Sequence, residues 1–351
     1  MNKKKTKVLV CLSGGVDSSV TAALLVRAGY NVTAAFMINY DEKDQAKKNC
    51  WINDYRDAAR VAAHLNIPIV RWNFTKEYKR DVLDYMYREY KAGRTPNPDV
   101  LCNQFVKFGA WLKKAKVEGF DFLATGHYAT TKNGELLTAK DTHKDQTYFL
   151  HQLSKEQLSH TLFPLGPYTK PQVRVLAKKF KLPTATRAES MGICFVGEVP
   201  MKDFLEKKIK HTPGLIKDIE TKEILGNHDG LAFYTIGQRH NLNSKNRAEP
   251  LHVVKKEVKT NTIFVGPKNS PGLFQSEIKL TKVHWISGQS PQFPVKCRVR
   301  LRHGQELRPA TLIQKNKQVY LTVTKPEWAV APGQFAVFYQ NTHCLGGGII
   351  A

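Results

Sequence analysis

The sequence predicts a parallel-sheet α/β domain followed by a small linking domain and a C-terminal β-barrel. Three observations carry that expectation. Segments of strand and helix character alternate from Val8 to about Thr131, a glycine-rich turn joins the first strand to the first helix, and from about Thr212 the texture changes to short strands divided by Gly, Asn and Pro turns.

Taken in order, VLVCL reads as a buried strand, SVTAALLVRAGY as a helix, NVTAAFMI as a strand, NDYRDAARVAAHL as a helix and IPIVRWNF as a strand. A helical stretch follows from about Glu77 to Ala92. Beyond the loop RTPNPDVLCN a further helix is expected to run to about Glu118, and FDFLATGHYAT is the next short apolar strand. In such sheets ligands bind beyond the carboxyl ends of the strands, so SGGVDSS, Met37 and Thr125-Gly126-His127 should converge. In the second half GLAFYTIGQR, TIFVGP, KCRVRLRH, QVYLTVTKP and FAVFYQNTHCLGGGII read as strands. The expected division is 1–211, 212–276 and 277–351.

Length and 42% apolar content suit packed cores. Lys plus Arg number 54 against 30 Asp plus Glu, a net charge of +24 that raises the expectation of a polyanionic partner, nucleic acid first. A generally lysine-rich protein complement would give the same charge without one. No apolar stretch reaches the roughly 20 residues that span a bilayer, and MNKKKTK runs directly into the first strand, so a cytoplasmic protein with no membrane partner is expected. Cys11, Cys50, Cys102, Cys194, Cys297 and Cys344 show no zinc-like or disulfide-framework spacing.

SGGVDSS, residues 13–19, offers two glycines, three hydroxyls and a helix N-terminus to an anion, without the lysine of a Walker loop. From the residues alone Asp17 reads as a cap on the helix that follows. RTPNPDVLCN, residues 94–103, sets Asp99 and Cys102 three apart, a spacing that lets both share a helix face. The helix end should lower the thiol pKa while the carboxylate opposes ionisation and can shuttle a proton; alternatively Asp99 caps the helix and Cys102 is plain core. SMGICFVGE, residues 190–198, puts Cys194 in a glycine-flanked segment. Cysteines able to reach one site in a reducing compartment suggest transient sulfur chemistry.

The loop resembles that of the PP-loop ATP pyrophosphatases. With GRTPNPDVLCN, ATGHYA, KDQTYFL, GICFVGE, YTIGQR and CLGGG following in order, the whole chain resembles the bacterial tRNA-specific 2-thiouridylases. That resemblance implies a PP-loop catalytic domain, ATP bound by Cys11, Leu12, Ser13, Gly14, Gly15, Val16, Asp17, Ser18, Met37 and Gly126, and Mg²⁺ near Asp17 by way of the pyrophosphate. It implies Cys194 as persulfide carrier, Cys102 as its attacker or disulfide partner, and Asp99 as acid or base. It further implies contacts to tRNA, with its wobble uridine, from Asn97, Pro98, Asp99, His127, Lys144, Asp145, Gln146, Arg302, His303 and Gln334. A persulfide-donating protein partner and a monomeric state belong to the same expectation. Without the resemblance, His127 reads as a satisfied strand-end histidine and Arg302 as part of a solvated barrel face. Two other readings are a PP-loop amidotransferase or ligase acting on a small molecule, and a non-catalytic basic RNA-binding protein.

Overall fold

The computed structural model describes residues 2–41, 51–188, 199–239 and 249–351. Cys50 and Cys194, with the whole of GICFVGE, lie outside the described residues. The first domain is built on a five-stranded sheet of β1 (Lys7–Cys11), β2 (Asn31–Ile38), β3 (Ile69–Asn73), β4 (Phe122–Ala124) and β7 (Thr161–Leu162), every pairing parallel, in the order β3-β2-β1-β4-β7. β1 is central: Val8, Leu9 and Val10 are fully buried, as strands covered on both faces must be. The chain steps outward from β1 to β2 and β3, then returns to β4 on the other side. The reversal opens a crevice between the ends of β1 and β4.

The helix Val16–Arg27 covers one face of this sheet with Trp51–His64, the helix expected at NDYRDAARVAAHL. On the other face run the helical segments Thr75–Tyr78, Lys79–Leu83 and Asp84–Lys91, then Pro98–Leu101, Cys102–Trp111 and Leu112–Val117. Cys102–Trp111 is wound as a π-helix, a form found mostly where function disturbs an α-helix.

A four-stranded sheet of β8 (Gly214–Asp218), β9 (Ile224–His228), β10 (His252–Glu257) and β11 (Thr262–Gly266) forms the middle domain in the order β10-β11-β8-β9. GLAFYTIGQR, expected as a strand, is not one. Leu231–Phe233 is a 3-10 turn, and Gln238 N donates to the Thr235 carbonyl at 3.0 Å, so three-residue closures replace the strand ladder.

The C-terminal strands β12 (Phe274–Trp285), β13 (Val295–Arg300), β14 (Arg308–Lys315), β15 (Gln318–Trp328), β16 (Phe335–Gln340) and β17 (His343–Ile350) close into a barrel through the β12–β17 pairing. Its core is apolar, with Leu280, Val299, Leu312, Leu321 and Phe338 fully buried. The sheet does not stop at the barrel. A hairpin of the first domain, β5 (Thr130–Lys132) and β6 (Glu135–Leu137), joins the outer half of β17 through Leu137 opposite His343 and Leu136 opposite Cys344. One continuous sheet therefore links the first domain to the barrel.

Candidate active site

The loop after β1 has the shape its sequence predicts. Gly14 sits at φ 76, and a Cβ there would lie 2.5 Å from the Asp54 carbonyl oxygen, so neither backbone conformation nor space admits a side chain. Gly15 is the N-cap of Val16–Arg27 and brings no side chain to its first-turn amides. The hydroxyls brace the turn: Ser18 Oγ and Ser19 Oγ both donate to the Gly15 carbonyl, at 3.0 and 2.7 Å, and Ser13 N donates to Ser18 Oγ at 3.2 Å. An anion arriving here meets a braced turn and the positive end of a twelve-residue helix. Gly126, just beyond β4, closes the far wall; a Cβ on it would lie 2.9 Å from Ser18 N.

Asp17 does not cap the helix. It occupies the first turn, where Lys170 Nζ reaches both of its oxygens at 2.8 Å and Tyr128 Oη donates to Oδ1 at 3.1 Å. The lysine absent from the loop thus comes from the first position of the helix Lys170–Lys179. A second distant cation, Arg187, donates through Nη1 to the Gly14 carbonyl at 3.0 Å and pairs with Asp57 and Asp54 of Trp51–His64. Neither was found from sequence. Lys170 follows the capping-box pattern TKPQ, a local signal that marks a helix start but not its target. Among the described residues no group of three or more His, Cys, Asp and Glu could hold a metal. With its carboxylate taken by Lys170, Asp17 does not fit a resident Mg²⁺.

On the other side of the crevice, Asn97 and not Asp99 caps the next helix, its Oδ1 accepting from Val100 N at 3.4 Å. Pro98 takes the first position and Asp99 the second, inside the first turn and past the cap. Cys102 is fully buried. The alternative of a buried thiol is the one realised: burial pushes it up to about 12, the Lys107 ammonium opposes that rise, and the Asp99 carboxylate adds to it, in the sense expected of a carboxylate. The helix N-terminus loses to desolvation. Cys11, at the end of β1, is pushed up to about 12 by burial in the same way, again opposed by Lys107. His127 shares a 2.7 Å hydrogen bond between Nδ1 and Thr125 Oγ1. Burial first, and Lys107 second, hold its pKa well below the usual imidazole value, so it is neutral. Met37, predicted at the nucleotide, is buried within the apolar cluster beneath the crevice, beside Trp72.

The remaining predicted residues gather where the first domain meets the barrel. Gln334 Nε2 donates to the Thr95 carbonyl at 3.1 Å, and Asn97 Nδ2 to Gln334 Oε1 at 3.5 Å. His303 is exposed and packs on Phe149 with ring centroids 4.4 Å apart. Its pKa is lowered by partial burial and by Arg300, with Asp145 and Asp99 acting in the opposite sense and Lys144 adding to the fall. Asp99, Lys144 and His303 are therefore near neighbours. Arg302 is exposed and, with Gln334, Thr235, Ile236 and Trp328, lines a cavity of about 250 Å³.

Two predicted surface residues have other occupations. Asp145 is buried, accepting from Arg300 Nη1 at 2.9 Å, Thr147 Oγ1 at 2.5 Å and Ala139 N at 2.8 Å, which fastens the first domain to β13. Gln146 is tied to Tyr128, its Oε1 accepting from Tyr128 N at 2.9 Å, and so steadies the strand end that carries His127.

Comparison with known proteins accounts for the whole chain. Residues 6–198 match a family model described as tRNA methyl transferase HUP domain, 202–267 one described as tRNA methyl transferase PRC-barrel domain, and 275–350 one described as aminomethyltransferase beta-barrel domain. The tRNA-specific 2-thiouridylase MnmA of Bacillus cytotoxicus is 43% identical over 358 residues, covering 100% of this chain and 96% of its own. The protein of the same name from Ureaplasma urealyticum serovar 10 is 43% identical over 368 residues, covering 100% and 97%. Among solved structures, the U34-tRNA thiolase NcsA from Methanococcus maripaludis is 20% identical over 55% of this chain and 62% of its own, with a TM-score of 0.36.

Proposed function

The chain belongs to the tRNA-specific 2-thiouridylase family, and from that premise we propose that it exchanges the C2 oxygen of a wobble uridine in tRNA for sulfur at the expense of ATP. The observation that carries this reading is the meeting of two unlike half-sites at Gly126 and His127. Gly126 lies against the phosphate-type loop, and His127 lies against the helix that carries Cys102.

The loop 13–18 would hold the pyrophosphate of ATP, whose release accompanies transfer of AMP to the uracil oxygen. A carbonyl oxygen is a poor leaving group until it is so adenylated. A persulfide on Cys194 would then be attacked by the Cys102 thiolate, giving a Cys102–Cys194 disulfide and a sulfide that adds at C2 as AMP departs; an external thiol would reduce the disulfide for the next cycle. Asp99, three residues before Cys102 in the same helical run, would take or return the proton. Because Asp17 is occupied by Lys170, Mg²⁺ would arrive on ATP and not on a protein site. Lys144, Arg302, His303 and Gln334 would receive the RNA at the rim, where the base must leave its stack to reach the crevice. The sulfur would come from a persulfide-bearing protein, and the enzyme would act as a monomer with 1–211 as catalytic domain, 212–276 as link and 277–351 as tRNA-contacting barrel.

Methyl transfer, the activity in two of the family-model descriptions, does not call for a pyrophosphate-holding loop. Relatives that span this whole chain are instead named tRNA-specific 2-thiouridylase. The deciding experiment incubates the protein with ATP, Mg²⁺, a persulfide donor and unmodified tRNA, followed by mass spectrometry of the nucleosides. A gain of about 16 Da on uridine, oxygen exchanged for sulfur, is expected and should vanish in Cys102→Ala and Cys194→Ala. Full thiolation by Cys102→Ala would end this reading of the thiol.

A further inference from the structure

The outer side of the helical run Cys102–Trp111 borders a cavity of about 600 Å³, which the first domain shares with His284 of β12. That volume lies within the roughly 300–1,000 Å³ of ligand sites. Phe105 stands on its wall, 44% exposed despite its large apolar ring. The surface beside it is bare: among the described residues a Cβ on Gly109 would meet no atom within 4 Å except those of Gln104, in the same helical run. Lys113, further along, is exposed at the cavity. Arg80, the other cation there, is spent on Asp81, to which its Nε and Nη2 each donate at 2.7 Å. Gln152 lines the cavity from the segment after Thr147–Leu150. It is only 8% exposed, and its Nε2 finds no hydrogen-bond partner among the described residues. An amide buried without a partner costs free energy, which a guest that bonds to it relieves.

We infer that this cavity receives one nucleotide of the bound tRNA, other than the uridine to be modified, with its base stacked on Phe105, its base edge on the Gln152 amide and its phosphate beside Lys113. This rests on the function proposed above. An exposed aromatic face with a cation beside it suits an unstacked nucleotide, because every base has a flat face and every nucleotide a negative charge. A glutamine amide carries an acceptor and two donors side by side, the pattern that base edges present. The net charge of +24 draws a polyanion to such a surface. The place fits as well. Asn103 Nδ2 donates to the Phe149 carbonyl at 3.2 Å, and the Phe149 ring carries His303, at the rim proposed for RNA. Gln104 and Phe105 follow Asn103 directly, and Gln152 follows Phe149 by three residues, so the cavity continues that rim.

The test uses the full chain and an unmodified tRNA transcript. Ultraviolet irradiation of the complex, followed by peptide mass spectrometry, should find a nucleotide joined to Phe105. Phe105→Leu keeps an apolar side chain without the ring and should raise the tRNA Kd roughly 5- to 150-fold, the loss of one base–aromatic stack. Lys113→Gln should reduce the slope of log Kd against log salt by about one. Gln152→Met removes the amide at similar side-chain length; it should weaken tRNA binding without lowering the thermal midpoint of the free protein. A Kd for Phe105→Leu within twofold of wild type, an unchanged salt slope for Lys113→Gln, or crosslinks confined to other residues overturns the inference. So does a lowered midpoint in Gln152→Met, which would mean an amide already partnered in the free protein. Unchanged tRNA binding with slower sulfur uptake from a persulfide-bearing protein would assign the cavity to that protein and overturn it as well. The functional reading is judged apart from this one. Thiolation by wild type, with tRNA binding intact in all three variants, keeps the function and removes the inference; binding lost in the variants, with no thiolation by wild type, does the reverse.

Discussion

Replacing Gly126 by alanine adds a single methyl group, and the structure says where it would go. The new Cβ would lie 2.9 Å from Ser18 N, 3.0 Å from Asp17 C and 3.2 Å from Ser18 Cα. Carbon contacts are comfortable at about 3.5–4.0 Å, so something must yield by half an ångström or more. All three atoms are main chain in the first turn of Val16–Arg27, so no flexible side-chain end can swing away. The φ of Gly126 lies outside the left-handed region, and space alone excludes the methyl. Overpacking of this kind costs about 1–3 kcal/mol. Because the strained contact joins the two walls of the crevice, relief must tilt the first-turn amides away from a bound phosphate, so most of that cost should appear in nucleotide binding. ATP affinity should fall roughly 5- to 150-fold, at 1.4 kcal/mol per decade. Isothermal titration with ATP and a thermal melt of Gly126→Ala would measure both. ATP affinity within twofold of wild type, with an unshifted melt, would refute the close approach on which this reasoning stands.

Three further outcomes follow from buried charges. Lys170→Met strips Asp17 of its cation and should lower stability by about 1–3 kcal/mol, less than for a fully enclosed pair because about a third of the Asp17 side chain reaches solvent; ATP binding should weaken as well, both read by melts with and without nucleotide. Arg300→Met leaves the Asp145 carboxylate, 1% exposed, without its partner and should cost about 3–5 kcal/mol, seen as a lowered denaturant midpoint. His151 is fully buried, donates Nδ1–H to the Tyr148 carbonyl at 2.6 Å, and has its pKa lowered by burial to about 3. Since the folded value lies below the unfolded one near 6.5, its contribution is complete above that pH and is lost on acidification through the window down to about 3, by up to about 1.4 kcal/mol per pH unit. Urea titrations at pH 7, 6 and 5 should show this slope reduced in His151→Phe.

The parts of this molecule that were legible in the sequence are those whose physics is local. SGGVDSS lies between a buried strand and a helix, and its turn geometry follows from its own glycines and hydroxyls. The hairpin β5–β6 went unread, although its signal is equally local: Lys132-Asn133-Gly134-Glu135 has Asn133 and Gly134 at φ 53 and 76, the turn that Asn-Gly favours. Its destination was not local, because β6 pairs with β17 at the far end of the chain. The same limit hid Lys170 and Arg187, whose targets in the loop are fixed only by the packing of distant helices. For Cys102 the sequence left two readings open, for a related reason. A helix N-terminus can be read from Asn97 and Pro98, but the depth at which the thiol is buried depends on the sheet beneath it. Asp145 shows the converse: within KDQTYFL it was expected to contact tRNA, but Arg300 of the barrel closes over its carboxylate.

The loop 94–97 connects these observations, since it leads into the helix of Cys102 yet is held mostly from outside its own domain. Thr95 N donates to the Pro332 carbonyl at 2.8 Å, Thr95 Oγ1 and Thr235 Oγ1 share a hydrogen bond at 3.1 Å, and Gln334 donates to the Thr95 carbonyl. Barrel and middle domain together therefore set the entry of the helix on which Asp99 and Cys102 stand. A helix start fixed from three sides, with Asn97 capping it and Pro98 pre-setting its first turn, leaves the Asp99 carboxylate little freedom except at its own side-chain torsions. The continuous sheet through β6 and β17 adds a second attachment on the other side of the crevice. The barrel is thus part of what positions the thiol, and loosening the barrel contact should reach Cys102 through Thr95 before it reaches the phosphate-type loop, whose side-chain ties to Lys170, Tyr128 and Arg187 all come from the first domain.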